Sequence, residues 1–122
     1  MNAKEYQNLA MRTCAIPYDR DPLTELIPDN RKRGMLIHGV TLTSSEVGEV
    51  AGLVQKVYQG HEFDLEHMKK ELGDVLWGVA EICTALDIDM GDAMETNIAK
   101  LKARYPEGFD VEHSLHRKEG DV

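Results

Sequence analysis

A chain of 122 residues suits one compact domain and leaves no room for two ordinary ones. Its 42% apolar and 30% charged residues exclude a disordered chain, and no run approaches the roughly 18 apolar residues of a membrane span. Fourteen basic against twenty-two acidic residues give a net charge of −8, a sign that repels nucleic-acid phosphate and argues against nucleic acid as a partner.

The opening MNAKEYQNLAMRT lacks the apolar core of a signal peptide, so the cytoplasm is the expected compartment. Periodicity predicts a first helix over about Asn2 to Thr13, with Asn2 as cap, Glu5 completing a capping box and Ala3, Tyr6, Ala10 and Thr13 on its inner face. Pro17, Pro22 and Pro28 punctuate an irregular stretch with one helical turn near Leu23 to Ile27. A second helix is predicted from Asp29 or Asn30 to about Tyr58, with an apolar stripe of Leu36, Val40, Thr43, Val47, Val50, Val54 and Val57. Gly60 ends it. Asp64 caps a third helix with a stripe of Leu65, Met68, Leu72, Val75, Val79, Ile82 and Leu86. Asp89 caps a fourth, whose inner face reads Met90, Met94, Asn97, Leu101 and Tyr105 before Pro106 stops it. Residues 1–110 are thus the expected domain, and 111–122 a polar tail that packs on a neighbour or frays.

Nothing reads as strand, so the expected architecture is all-α, a four-helix-type bundle. A chain this short commonly completes such a core by oligomerising. Cys14 and Cys83 lack metal-ligand spacing and read as two buried thiols in a reducing compartment.

The most informative feature is a double pair of acids, Glu46 with Glu49 and Glu71 with Asp74. Spacing i, i+3 places each pair on one helical face. Glu46 and Glu49 share a stripe with Leu42 and Leu53, beside the valines; Glu71 and Asp74 border Leu72 and Val75, in line with Gly78. The short intervening loop makes the two helices antiparallel. At 1.5 Å per residue the first pair lies ~16 Å from that loop and the second ~13 Å, so four carboxylates converge within one turn. Burying them costs several kcal/mol, and like charges raise one another's pKa. A divalent cation relieves both problems, and hard oxygen ligands select Mg²⁺ or Mn²⁺ over zinc. Gly48 and Gly73, inside the two motifs, are read as permitting close approach of another helix or a ligand.

Asn97, Lys100 and Arg104 lie on one face of the last long helix, at about the same height by the same rise. Carboxylates that hold a metal, facing Lys and Arg, make a site for polyphosphate. Lys56, on the Glu46 stripe, reaches for a terminal phosphate or pairs with an acid. His38, His61 and His67 read as surface or loop polar residues rather than ligands. Tyr6, Gln7, Arg12, Thr13 and Trp77 are candidates for a base pocket, and each is equally readable as packing.

The motifs SSEVGEV (44–50), KKELGDVLW (69–77) and NIAKLKARYPEGF (97–109), joined by the QGHEFD turn, resemble the MazG-like all-α nucleoside triphosphate pyrophosphohydrolases. The opening KEYQNLAMRT is also similar to members that begin with an xEYQxxAxRT helix, and the likeness spans about residues 3–110. The resemblance implies Mg²⁺-dependent hydrolysis of a (d)NTP to (d)NMP and pyrophosphate, for house-cleaning or control of one nucleotide pool. By motif position it makes Glu46, Glu49, Glu71 and Asp74 metal ligands and catalytic groups. Lys100 and Arg104 hold phosphates, and Asn97 orients the nucleotide. It also implies a homodimer or, as a dimer of dimers, a homotetramer whose neighbouring chains share the pocket. Ser45 stands where the family often has an extra Glu, which removes one accessory acid from the pattern.

Within the superfamily, phosphoribosyl-ATP pyrophosphohydrolase and all-α dUTPase or dCTPase activities are the alternatives. Outside it stand a di-iron carboxylate bundle, disfavoured because no His follows Glu46 or Glu71 at i+3, and a non-catalytic helical interaction module.

Overall fold

Each of the six helices opens on an Asp or Asn whose side chain accepts a backbone N–H that the helix itself leaves unpaired. The computed structural model describes all residues, Met1–Val122. Helix α1 (Ala3–Met11) carries the full Asn2–Glu5 capping box, and α2 (Pro22–Leu26) follows Asp21 with proline in its first turn. Asp29 caps α3 (Asn30–Tyr58), Asp64 caps α4 (Leu65–Ala85) and Asp89 caps α5 (Met90–Arg104). Asp110 caps a further helix, α6 (Val111–Leu115), where the sequence suggests only a tail. The protein is all-α: no strand forms, and the sole β feature is an isolated bridge between Pro106 and Gly108. No helix is long and apolar enough to cross a membrane.

The centre of the molecule is the antiparallel hairpin of α3 and α4, the one pair of elements packed along its length. Gly60, at φ +94°, supplies the left-handed turn after α3. The register is visible in three contacts whose positions rise on α3 as they fall from the turn after α4 into that helix. Lys32 Nζ lies 2.7 Å from Asp87, His38 Nδ1 lies 2.6 Å from Glu81, and Thr43 packs on Gly78.

That last contact sets the depth of packing. A Cβ on Gly78 would fall inside the Thr43 side chain and 3.3 Å from its Cα, and one on Gly39 would lie 2.9 Å from Ile82. These two glycines, and not Gly48 or Gly73, let the backbones approach, since nothing in the chain comes within 4 Å of a Cβ placed on either of the latter. The seam on α3 is therefore Leu36, Gly39, Thr43, Glu46, Val50 and Leu53: it keeps Leu36, Thr43 and Val50 of the stripe the sequence suggests and takes Gly39, Glu46 and Leu53 in place of Val40, Val47 and Val54. Facing it on α4 are Met68, Glu71, Val75, Gly78, Ile82 and Ala85. Val40, Val47, Val54 and Val57 remain 42–51% exposed. Cys83 is buried but Cys14 is exposed, which corrects the expectation of two buried thiols.

Only five of 122 residues are buried in the single chain, whose surface is 9994 Å². A compact monomer of 13.7 kDa exposes about 6,600 Å², so roughly a third of this surface is in excess.

Candidate functional site

Two helical positions bring acids to the seam. Glu46 follows Gly39 and Thr43 on the packed face of α3, and Glu71 precedes Val75 and Gly78 on that of α4. Closing the seam at Gly78 thus carries both carboxylates inward. Glu46, Glu71 and Asp74 each place an oxygen within 4.8 Å of the others. Glu46 and Glu71 are half-buried, while Asp74 stands at the solvent edge.

Desolvation in the seam pushes the Glu46 carboxyl up from its ordinary value of 4.5. A hydrogen bond to Glu71 adds to the shift, followed by the charges of Asp74, Glu71 and Glu49. Glu49 is exposed and outside the close group; it acts on Glu46 through its charge, one turn away. The arrangement is three converging carboxylates with a fourth at the margin, not four equal ones. The donors are all hard oxygens, with neither thiol nor imidazole among them, a set that fits Mg²⁺ or Mn²⁺.

One histidine, His67, borders this site, and a second, His38, pairs with an acid further along α4. His67 Nε2 lies 2.7 Å from Glu71 Oε1, one turn earlier on α4. The i, i+4 spacing of His67 and Glu71 is the signal that could have revealed it. His38 Nδ1 lies 2.6 Å from Glu81 and meets Trp77 edge-on, with ring centroids 6.3 Å apart. Trp77, Met35 and Arg31 line a shallow groove beside that pair.

The remaining candidates are not assembled around the acids within one chain. Helix α5 has no extended contact with α3 or α4, which corrects the expectation that it lies along them. Its apolar residues Met94 and Ile98 stay 61% and 50% exposed. Asn97 and Lys100 are exposed. Arg104 pairs with Asp121 of the C-terminal segment, donating from Nε and Nη2. Lys56 is exposed on the last turn of α3 without an ion-pair partner. Tyr6, Gln7, Arg12 and Thr13 are exposed on or just beyond α1, and Thr13 Oγ1 only returns to the Ala10 carbonyl.

The family model of the MazG nucleotide pyrophosphohydrolase domain matches residues 39–109. That span contains every acid of the cluster together with Asn97, Lys100 and Arg104. The chain is also similar to the "Gene 37 protein" of Mycobacterium phage L5, at 31% identity over 68 residues. The alignment takes in 52% of this chain and 60% of the phage protein, so the chain spans under two thirds of that relative's length. No solved structure matches it.

Proposed function

This chain belongs to the MazG nucleotide pyrophosphohydrolase family, and from that premise we propose that it hydrolyses a (deoxy)nucleoside triphosphate to the monophosphate and pyrophosphate at Glu46, Glu71 and Asp74. The convergence of those three carboxylates within 4.8 Å is the observation that carries the reading. Glu46, Glu71 and Asp74 would hold Mg²⁺, or Mn²⁺ in its place, with Glu49 at the margin. The cation when bound lowers the pKa of water and neutralises phosphate charge.

The residues of the chain supply the rest. A water oxygen bonds to the α-phosphorus while the α–β bridging oxygen leaves with pyrophosphate, and a carboxylate of the cluster takes the water's proton. Lys100 and Arg104 hold phosphate oxygens and offset the charge that develops on the leaving group, while Asn97 orients the nucleotide. Lys56 would reach a terminal phosphate. Trp77, with Tyr6 and Gln7 of α1 and Arg12 and Thr13 just beyond it, would form the base pocket.

The catalytic unit is a homodimer or homotetramer. Support comes from the excess surface and from the separation of α5 from the acids, so that the cations of one copy serve the carboxylates of another. Apolar faces left open on α3, α4 and α5 are the surfaces such copies would cover. Residues 1–110 form the working domain.

A panel of eight standard (d)NTPs with Mg²⁺ tests the reading, with products resolved as monophosphate plus pyrophosphate or as diphosphate plus orthophosphate. Monophosphate and pyrophosphate are expected from at least one nucleotide, with no turnover in EDTA. Diphosphate and orthophosphate as products overturn it.

A further inference from the structure

Glu71 stands between unlike neighbours. Glu46 faces it across the seam and Asp74 lies one turn on along α4, each with an oxygen within 4.8 Å of one of its own. One turn back lies His67, whose Nε2 is 2.7 Å from Glu71 Oε1. An ionised carboxylate only accepts hydrogen bonds, so the imidazole carries its proton on Nε2 and donates. No lysine or arginine pairs with Glu46, Glu49, Glu71 or Asp74, and His67 is the one basic side chain that reaches any of them.

The contact is built by the fold as well as by spacing. Asp64 Oδ1 accepts the His67 backbone N–H at 2.9 Å, so the cap of α4 fixes the turn that carries the imidazole. Closure of the seam shelters the Glu71 side chain to 14% exposure, while that of His67 stays 46% exposed. A sheltered carboxylate beside two others has lost water donors and is repelled by its neighbours. Without an anchor it gains by swinging to solvent, and a cation must then order it again against the entropy of its side chain. The Nε2–H replaces one lost water and holds the carboxylate at the seam before any cation arrives. We propose that His67 is a positioning residue, which donates to Glu71 Oε1 and presets that carboxylate for a divalent cation shared with Glu46 and Asp74. The proposal rests on the reading of those acids as a metal site. His67 acts behind the carboxylate and not on the cation itself.

Titration of the full-length protein with Mn²⁺, followed by the electron paramagnetic resonance of the free ion, tests this without turnover. His67→Ala is expected to weaken Mn²⁺ binding about tenfold, as loss of a group that orients a metal ligand does. Alanine favours a helix more than histidine, so an unravelled α4 does not produce that loss. His67→Gln keeps an N–H donor at the same i, i+4 spacing and is expected to recover most of the affinity. The electron spin echo of Mn²⁺ bound to the parent should show no directly coordinated nitrogen. Unchanged binding in His67→Ala, a loss that His67→Gln does not recover, or an imidazole nitrogen on Mn²⁺ overturns the proposal. Glu71→Gln separates this failure from that of the site. If Glu71→Gln loses Mn²⁺ while His67→Ala binds like the parent, the metal site stands and the role of His67 falls. A parent chain that binds no Mn²⁺ overturns both. A protein that shows the His67 shifts but cleaves no (d)NTP keeps the positioning role and retires the proposed reaction.

Discussion

Along α3 the stripe turned to α4 holds Leu36, Gly39, Thr43, Glu46, Val50 and Leu53, whereas the stripe beside it holds Ile37, Val40, Val47 and Val54. The first is closed within one chain although it contains a glycine, a hydroxyl and a carboxylate. The second is more apolar, yet its residues are 45–51% exposed. Helix α4 repeats the contrast, with Gly78 and Glu71 inside while Leu65, Leu72 and Leu76 stay 48–60% exposed. Shape governs the inner seam: small residues permit close approach, and close approach brings the acids together. Hydrophobic burial has its largest unused reserve on the outer faces, where a second copy of the chain supplies the cover in the assembly proposed above.

The sharpest way to break this contrast is to charge the outer stripe. A Val47→Asp, Val54→Asp double variant places two unpaired carboxylates on the face assigned to assembly, each costing several kcal/mol if buried there. Light scattering should show the mass falling to the 13.7 kDa of one chain, with nucleotide hydrolysis lost alongside. A parent chain that itself runs at 13.7 kDa would undo the comparison.

The inner seam should fail differently. Gly78→Ala drives a methyl into Thr43, so the helices must separate, at a cost of about 1–3 kcal/mol by denaturant titration. Assembly should survive that substitution. If Gly78→Ala is as stable as the parent, the close approach at Thr43 does not hold the seam.

Within the seam, Glu46 and Glu49 can be told apart. Metal at 100 times its dissociation constant should stabilise the parent by about 2.7 kcal/mol, read as a rise in melting temperature. Glu46→Gln should remove that gain and raise the melting temperature of the metal-free protein, because a carboxyl crowded by Glu71 and Asp74 loses its charge. Glu49→Gln, outside the close group, should keep part of the gain. Equal loss in both variants would make the four acids equivalent ligands after all.

The smallest effect is on pH. The Glu46 carboxyl is raised in the folded chain, so the native state binds more protons than the unfolded state just above pH 4.5. Stability of the metal-free protein should therefore fall as pH rises from 4.5 through the raised value, and Mg²⁺ should flatten the decline. Asp121 contributes with the opposite sign at lower pH: its stabilisation is present above 3.8 and lost as pH falls through its depressed value. Melting curves from pH 3 to 8, with and without metal, separate the two slopes; a Glu46→Gln, Asp121→Asn double variant should lose the first and keep at low pH only the contribution of the depressed Asp110 carboxyl.

Much of the helical framework is local information. Asn2, Asp29, Asp64 and Asp89 announce four helix starts, because a short acceptor before a periodic run satisfies N–H groups that nothing else can. The α6 start at Asp110 carries the same signal and is easily passed over, because the helix behind it is only five residues long and mostly polar. The acid pairs were legible too, since i, i+3 spacing and a short antiparallel loop determine their heights to within a turn.

What the sequence by itself determined is therefore the set of helices up to α5, their order, the direction of α4 against α3 and the acids available to meet between them. Only the tertiary structure decided which of two adjacent stripes packs, that Glu49 stands aside, and that Arg104 grips Asp121 seventeen positions further on. A heptad pattern has a period but not a phase: Val40 and Gly39 each begin an acceptable stripe, and the choice depends on Thr43 finding Gly78 across the interface. The Arg104 pairing has no periodic signature at all. It exists because a turn after α5 returns the chain to the same cations, a closure that no local spacing encodes.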